Sequence, residues 1–239
     1  VYEHKEFRAK QDVIIPPAAI ALRAATQSEI GRIKGEALVL AGHKTAARTE
    51  LIAPYIRGER DPYLLAALGL YERAGGDAER ARKFLEAAVG AKVIRSEAYL
   101  ELARLRYADA DAKPAGAENS FSKEQVAPIV DLLLTARKQP PPQSAVYELL
   151  ADTLTRSAAT PSRDEAALVV EGARLFPSRL KLIYQGAVVC AKADLPDAAH
   201  SLVDHGIKYS PEGATRGRFE ELKQALPPAL AATGAPVKK

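Results

Sequence analysis

The sequence predicts an all-α chain, an α-solenoid of about five helix pairs closed by a C-terminal capping helix. Three observations predict it. Hydrophobic residues make up 47% of the 239 positions while aromatics make up only 6%; with abundant alanine, this favours closely packed helices over a β core. Apolar residues recur at helical spacing in short stretches separated by Gly, Pro and Asp. The stretch LFPSRLKLIYQGAVVCAKADLPDAAHSLVDHGIKYSP reads as two short amphipathic helices closed by Pro177 and Pro211, 34 residues apart, and the chain before it looks like copies of that unit.

Residues 1–27 stand outside the repeat. Val13-Ile14-Ile15 before Pro16-Pro17 reads as an extended, linker-like segment packing on the first repeat, with a short helix over Ala18 to Ala25. Thr26-x-x-Glu29 has the spacing of a capping box, so a helix is expected from about Ser28 to Ala41. The repeats are then placed at about 28–61, 62–95, 96–143, 144–179 and 180–213. Sliding the sequence by 34 residues puts Gly35 on Gly69 and then Ala103, Gly42 on Gly76, Ala47 on Ala81, Leu51 on Leu85 and Leu68 on Leu102. The small residues carry the meaning, because the middle of a first helix must approach the second helix of its own unit. Gly75-Gly76-Asp77 supplies the turn, glycine for a left-handed residue and aspartate as the next cap.

The third repeat is longer than the others. Residues 108–121, ADADAKPAGAENSF, read as an inserted loop, after which Ser122-x-x-Gln125 caps the resuming helix. Pro128 conflicts with a long helix there, which predicts a start nearer Gln125 or a kink. That helix runs to about Lys138 and stops at Pro140-Pro141-Pro142. Ala145 to Arg156 forms the next helix, Ser162-x-x-Glu165 caps its partner, and Phe176-Pro177 ends it. Residues 214–226 keep one apolar side through Phe219, Leu222 and Leu226, as a capping helix requires. Residues 227–239 have little to bury and are expected to be a mobile tail.

Leu65-x-x-Leu68-Gly69-x-Tyr71, Gly76-Asp77, Ala81, Leu85 and Ala88 resemble the tetratricopeptide repeat (TPR) pattern, with Tyr71 one residue early and Glu72 in the aromatic's place. Ile183 through Ala187, Ala199 and Pro211 resemble it too, with Asp194 in place of the turn glycine. The resemblance covers roughly Ser28 to Pro211. It implies a superhelix whose concave face, lined by the first helix of each unit, binds a protein or peptide.

On that face the candidate partner-binding residues are Arg73, Glu101, Arg104, Glu148, Asp152, Tyr184, Val188 and Lys192, with Arg32 and Glu36 on the first unit. Their signs change along the array: acidic groups suit Arg73 and Arg104, basic ones Glu148 and Asp152, and an apolar anchor Tyr184 and Val188. TPR proteins that resemble chaperone cofactors clamp a terminal carboxylate with lysines and asparagines. The only asparagine here is Asn119, in the insertion, which argues against that subclass.

Other chemistry finds little support. H-E-x-x-H, G-x-S-x-G, Walker and G-x-G-x-x-G motifs are absent from the sequence, so no enzyme activity and no cofactor are expected. His200 and His205 are five residues apart, a spacing that separates them on a helix, so no metal pair is expected and both read as solvent-facing or partly packed. Cys190, the only cysteine, excludes an intrachain disulfide and reads as an inert buried thiol. Lys and Arg number 34 against 30 Asp and Glu, a dispersed +4 that gives no reason to expect nucleic acid. No apolar run is long enough for membrane insertion. The chain therefore reads as a protein-interaction scaffold, the C-terminal region of a larger bacterial protein. The alternatives are a structural spacer or dimerisation region, with a homo-oligomer in view, and an accessory domain of an enzyme whose catalytic domain lies upstream of Val1.

Overall fold

Proline and glycine punctuate a largely helical fold over the described residues. The computed structural model describes residues 17–227. Among these are eleven α-helices and one short 3-10 turn, and the one β-type pairing joins Phe121 to Ser157. The helices are α1 (Pro17–Leu40), α2 (Lys44–Ile56), α3 (Pro62–Gly75), α4 (Ala78–Gly90), α5 (Ser96–Ala112) and α6 (Lys123–Arg137). They continue as α7 (Ser144–Arg156), α8 (Arg163–Leu175), α9 (Leu180–Lys192), α10 (Pro196–Tyr209) and α11 (Ala214–Ala225). The chain divides into two compact units, Val1–Glu101 and Leu102–Lys239, with the boundary inside α5.

In the first unit α1 packs on α2, α3 packs on α4, and α3 also touches both α1 and α2. The contact that sets the pairing distance recurs. A Cβ on Gly35 would stand 2.5 Å from Leu51 Cγ, and one on Gly69 would stand 2.6 Å from Leu85 Cγ. Both pairs are 16 residues apart and the two are offset by 34. Asp61 caps α3 by accepting from the Leu64 amide at 2.8 Å, with Pro62 at the first helical position, where its missing amide costs nothing. Gly76 closes α3 with φ of +88°, and Asp77 caps α4 through the Arg80 amide at 2.9 Å.

The order Tyr71-Glu72 has a physical account. Tyr71 turns outward and its hydroxyl donates to the Lys44 carbonyl at 2.9 Å. Glu72 takes the inward position and is buried, paired with Arg48 Nε at 3.3 Å.

In the second unit α6 packs on α7 and α7 on α8, α9 packs on α7, α8 and α10, and α11 closes α10. Gly186 and Leu202 repeat the 16-residue contact, a Cβ on Gly186 falling 3.2 Å from Leu202 Cδ1. Gly206 leaves room for the Phe219 ring of α11, which is fully buried. Asp194 stands in a left-handed turn at φ of +55°, the conformation that Gly42 and Gly76 adopt in the first unit.

Three sequence expectations are corrected. The short helix expected over Ala18 to Ala25 is present, but it runs on without a break from Pro17 to Leu40, so residues 17–27 are no linker and Thr26-x-x-Glu29 lies inside α1 rather than at a start. Pro17 at the first helical position and five alanines before Thr26 favour helix over extension. Val13-Ile14-Ile15-Pro16 and the tail beyond Pro227 lie outside the described residues. The expected loop 108–121 is helical through Ala112, since alternating Ala and Asp do not break a helix and Pro114 does. Pro128 neither delays nor divides α6, which begins at Lys123 behind the Ser122–Gln125 cap.

Candidate functional site

In the second unit the part of α5 after Glu101, α7 and α9 are joined by a chain of polar side chains. Asp152 on α7 is its centre. Its carboxylate accepts from the Tyr107 hydroxyl on α5 and from the Gln185 amide on α9. Arg156, one turn along α7, donates to the Tyr107 oxygen at 3.1 Å and pairs with Asp111 at 2.6 Å. Burial, then the hydrogen bond to the Asp152 carboxylate, pushes the Tyr107 hydroxyl up to about 12. Gln185 is itself buried, and its Oε1 has no hydrogen-bond partner.

The insertion supports this cluster. Phe121 is fully buried, 5.2 Å edge-on from Tyr107, with the Arg156 guanidinium 4.3 Å over its face. Backbone bonds from Phe121 N to Arg156 O at 2.8 Å and from Ala158 N to Phe121 O at 2.9 Å hold it against the end of α7. Gln125 fastens the rest: its Oε1 accepts from Ala115 N at 3.0 Å and Ser122 N at 3.1 Å, and its Nε2 donates to Lys113 O at 2.8 Å. The segment after Ala112 is therefore a packed brace.

Each candidate residue has a definite place. Arg73 pairs with Glu101 at 3.4 Å within the first unit. Arg104 is half-buried on α5. Glu148 meets Arg179 at 3.5 Å, and Lys192 donates to the Thr155 and Ser157 carbonyls at 2.6 and 3.4 Å, closing the C-terminal end of α7. Tyr184 lies edge-on to Phe219 at 5.4 Å. Val188, between Tyr184 and Lys192 at helical spacing on α9, is half-exposed. The structure thus brings Asp152 and Lys192 onto the α7–α9 seam and ties Tyr184 to the capping helix. Sequence reasoning missed Tyr107, Gln185, Arg156 and Phe121. Gln185 adjoins a residue it did single out, but Tyr107 is 45 positions from Asp152, and no local pattern joins them.

A second cluster lies between α6, α7 and α8. Arg137 reaches Glu171 with two bonds, at 3.2 and 2.7 Å, and the Tyr147 hydroxyl donates to the same carboxylate at 2.8 Å. Arg137 holds the Glu171 carboxyl below the ordinary glutamate range, and burial pushes the Tyr147 hydroxyl up to about 12. Nearby, a cleft of about 500 Å³ is walled by Val126, Val130, Leu134 and Leu154, with Lys123 and Glu165 at its rim.

The histidines are partly packed. His200 Nε2 lies 2.8 Å from Pro227 O and His205 Nε2 lies 3.0 Å from Pro177 O. Burial raises the Cys190 thiol to about 11, so it is protonated and unreactive at neutral pH. Among the described residues no cluster of three or more His, Cys, Asp or Glu could hold a metal ion, and no helix is long and apolar enough to cross a membrane. No protein-family model matches the chain, and no curated protein sequence matches it.

Proposed function

We propose that the chain is a TPR-like α-solenoid that serves as a protein-interaction scaffold, and that in its second unit the α7–α9 face receives a peptide or partner protein. The supporting observation is the polar chain Tyr107–Asp152–Gln185, which links α5, α7 and α9. The recurring glycine-to-leucine contact at Gly35, Gly69 and Gly186 supports the repeat reading. On this reading Asp152 and Lys192 build the surface by bracing α7 against its neighbours, and the ligand meets Glu148 and Val188, with Tyr184 as a firm apolar floor. The ligand chemistry is an apolar anchor beside basic residues.

Panning a random peptide library against the full chain tests this. The expected result is one enriched sequence family whose Kd rises at least tenfold in Val188→Glu and several-fold in Glu148→Ala, and is unchanged in Glu86→Ala, an exposed position on α4. No enrichment, or equal binding by all three variants, overturns it. A self-association role draws on a separate observation, the exposed apolar side of α1.

A further inference from the structure

Ile30, Ile33, Ala37 and Leu40 on α1 are all exposed and succeed one another at intervals of three, four and three residues. That is the a and d spacing of a two-helix seam. Ile30 and Ile33 are each 53% exposed and Leu40 is 91% exposed. The intramolecular contacts of α1 lie away from it: on the opposite side Gly31 meets Pro54 and Gly35 meets Leu51 of α2, and on one flank Arg32 lies over the Tyr63 ring of α3 at 5.9 Å and Glu36 pairs with Arg95. The stripe is therefore a second, separate apolar face of the helix, of a kind that isolated surface residues do not make.

The charges beside it point to the occupant. Glu29 flanks the stripe on one side and Lys34 on the other, with side chains 65% and 62% exposed. With Ile30 at a, Glu29 is at g and Lys34 at the following e. In a parallel pair the g residue of one helix faces the e residue five positions on in its partner. A second copy of α1 thus sets Glu29 against Lys34 twice, once on each side of the seam. An antiparallel pairing would set the acidic flank against itself. The present partners of these groups are modest surface ones, Arg32 at 3.9 Å from Glu29 and Glu50 at 3.3 Å from Lys34.

We infer that α1 pairs in parallel with α1 of a second copy of this chain, so that Ile30, Ile33, Ala37 and Leu40 meet their own equivalents across a two-fold axis. The seam is short, about one and a half heptads, so the association is weak and concentration-dependent. It uses only the first unit and is independent of any ligand on the α7–α9 face.

Sedimentation velocity of the full chain over a hundredfold concentration range should show a monomer–dimer equilibrium. Ile33→Glu, at an exposed position, should keep the helical circular dichroism and raise the dimer Kd at least tenfold. Glu29→Lys and Lys34→Glu should each weaken self-association several-fold, while an equimolar mixture of the two restores it as a heterodimer. Leu40→Cys should form a disulfide-linked dimer with oxidised glutathione, since Leu40 meets itself only in the parallel arrangement and Cys190 is buried. Constant monomer mass, no linkage through Leu40→Cys, or dimerisation indifferent to Ile33→Glu overturns the inference. A monomer in which Ile33→Glu instead lowers folding stability assigns the stripe to another segment of the same chain, and overturns it equally.

Discussion

At the scale of single residues, glycine and its substitute mark where backbones meet and where they turn. Gly206 and Gly217 are both helical, yet they answer opposite questions. A Cβ on Gly206 would overlap the Phe219 ring, whereas one on Gly217 meets nothing within 4 Å. Gly206→Ala should therefore destabilise the protein by about 1–3 kcal/mol through overpacking. Gly217→Ala should stabilise it by about 0.5–1 kcal/mol through helix propensity. Urea denaturation of the two variants checks both signs, and equal effects would mean that the ring moves aside freely. Asp194 is the third case. At φ of +55° it holds a left-handed conformation that costs an ordinary L-residue roughly 1–2 kcal/mol, less for aspartate. Asp194→Gly should raise stability by about 0.5–1 kcal/mol, and a fall would show that its side chain contributes a compensating bond.

At the scale of elements, the tyrosines that bind carboxylates fix how helices register, and they give the fold a signature at high pH. The Tyr107 and Tyr147 hydroxyls are raised from the ordinary 10 to about 12. Between these values the unfolded chain releases the phenolic protons and the folded chain keeps them. The folded state then binds more protons, so their contribution to stability, full below pH 10, falls as the pH rises toward 12. Stability measured by denaturation from pH 9 to 11.5 should decline, and the slope should flatten in Tyr107→Phe and in Tyr147→Phe. An unchanged slope in both would mean that other groups carry it. Tyr107→Phe should also cost about 1–3 kcal/mol at pH 7, because Asp152 loses a partner on the seam. How legible this was in the sequence differs by element. The pairs α3–α4, α7–α8 and α9–α10 follow from local signals: the Asp77 and Ser162 caps, Gly76, and apolar positions at helical spacing. The continuity of α1 with the short helix expected over Ala18 to Ala25 was hidden because Thr26-x-x-Glu29 imitates a start. The α5 extension was hidden because acidic content suggested a loop where only proline and glycine break the helix. Asp152 was recognisable as a polar residue on a first helix. Its role as an acceptor from both neighbours rests on Tyr107 and Gln185, 45 and 33 positions away, a meeting that no periodicity encodes.

At the scale of the whole molecule, every contact described within a unit joins helices that are near neighbours in the chain. On the repeat reading proposed above, such a fold has no central core through which a local defect must spread. The capping helix is the sharpest place to test the consequence. Phe219 fills the space beside Gly206 and lies against Tyr184, so it covers the outer side of the last helix pair. Phe219→Ala removes a fully buried ring, a change worth about 3–5 kcal/mol where the surroundings cannot collapse. In native-state hydrogen exchange the amides of α9, α10 and α11 should lose protection by that amount, while those of α3 and α4, in the first unit, keep theirs. The variant should also associate through the newly exposed side of α10, visible as mass increasing with concentration even when Ile33→Glu is present. Protection lost evenly from α1 to α11 would mean a single cooperative core, and the repeat description of this chain would then fail.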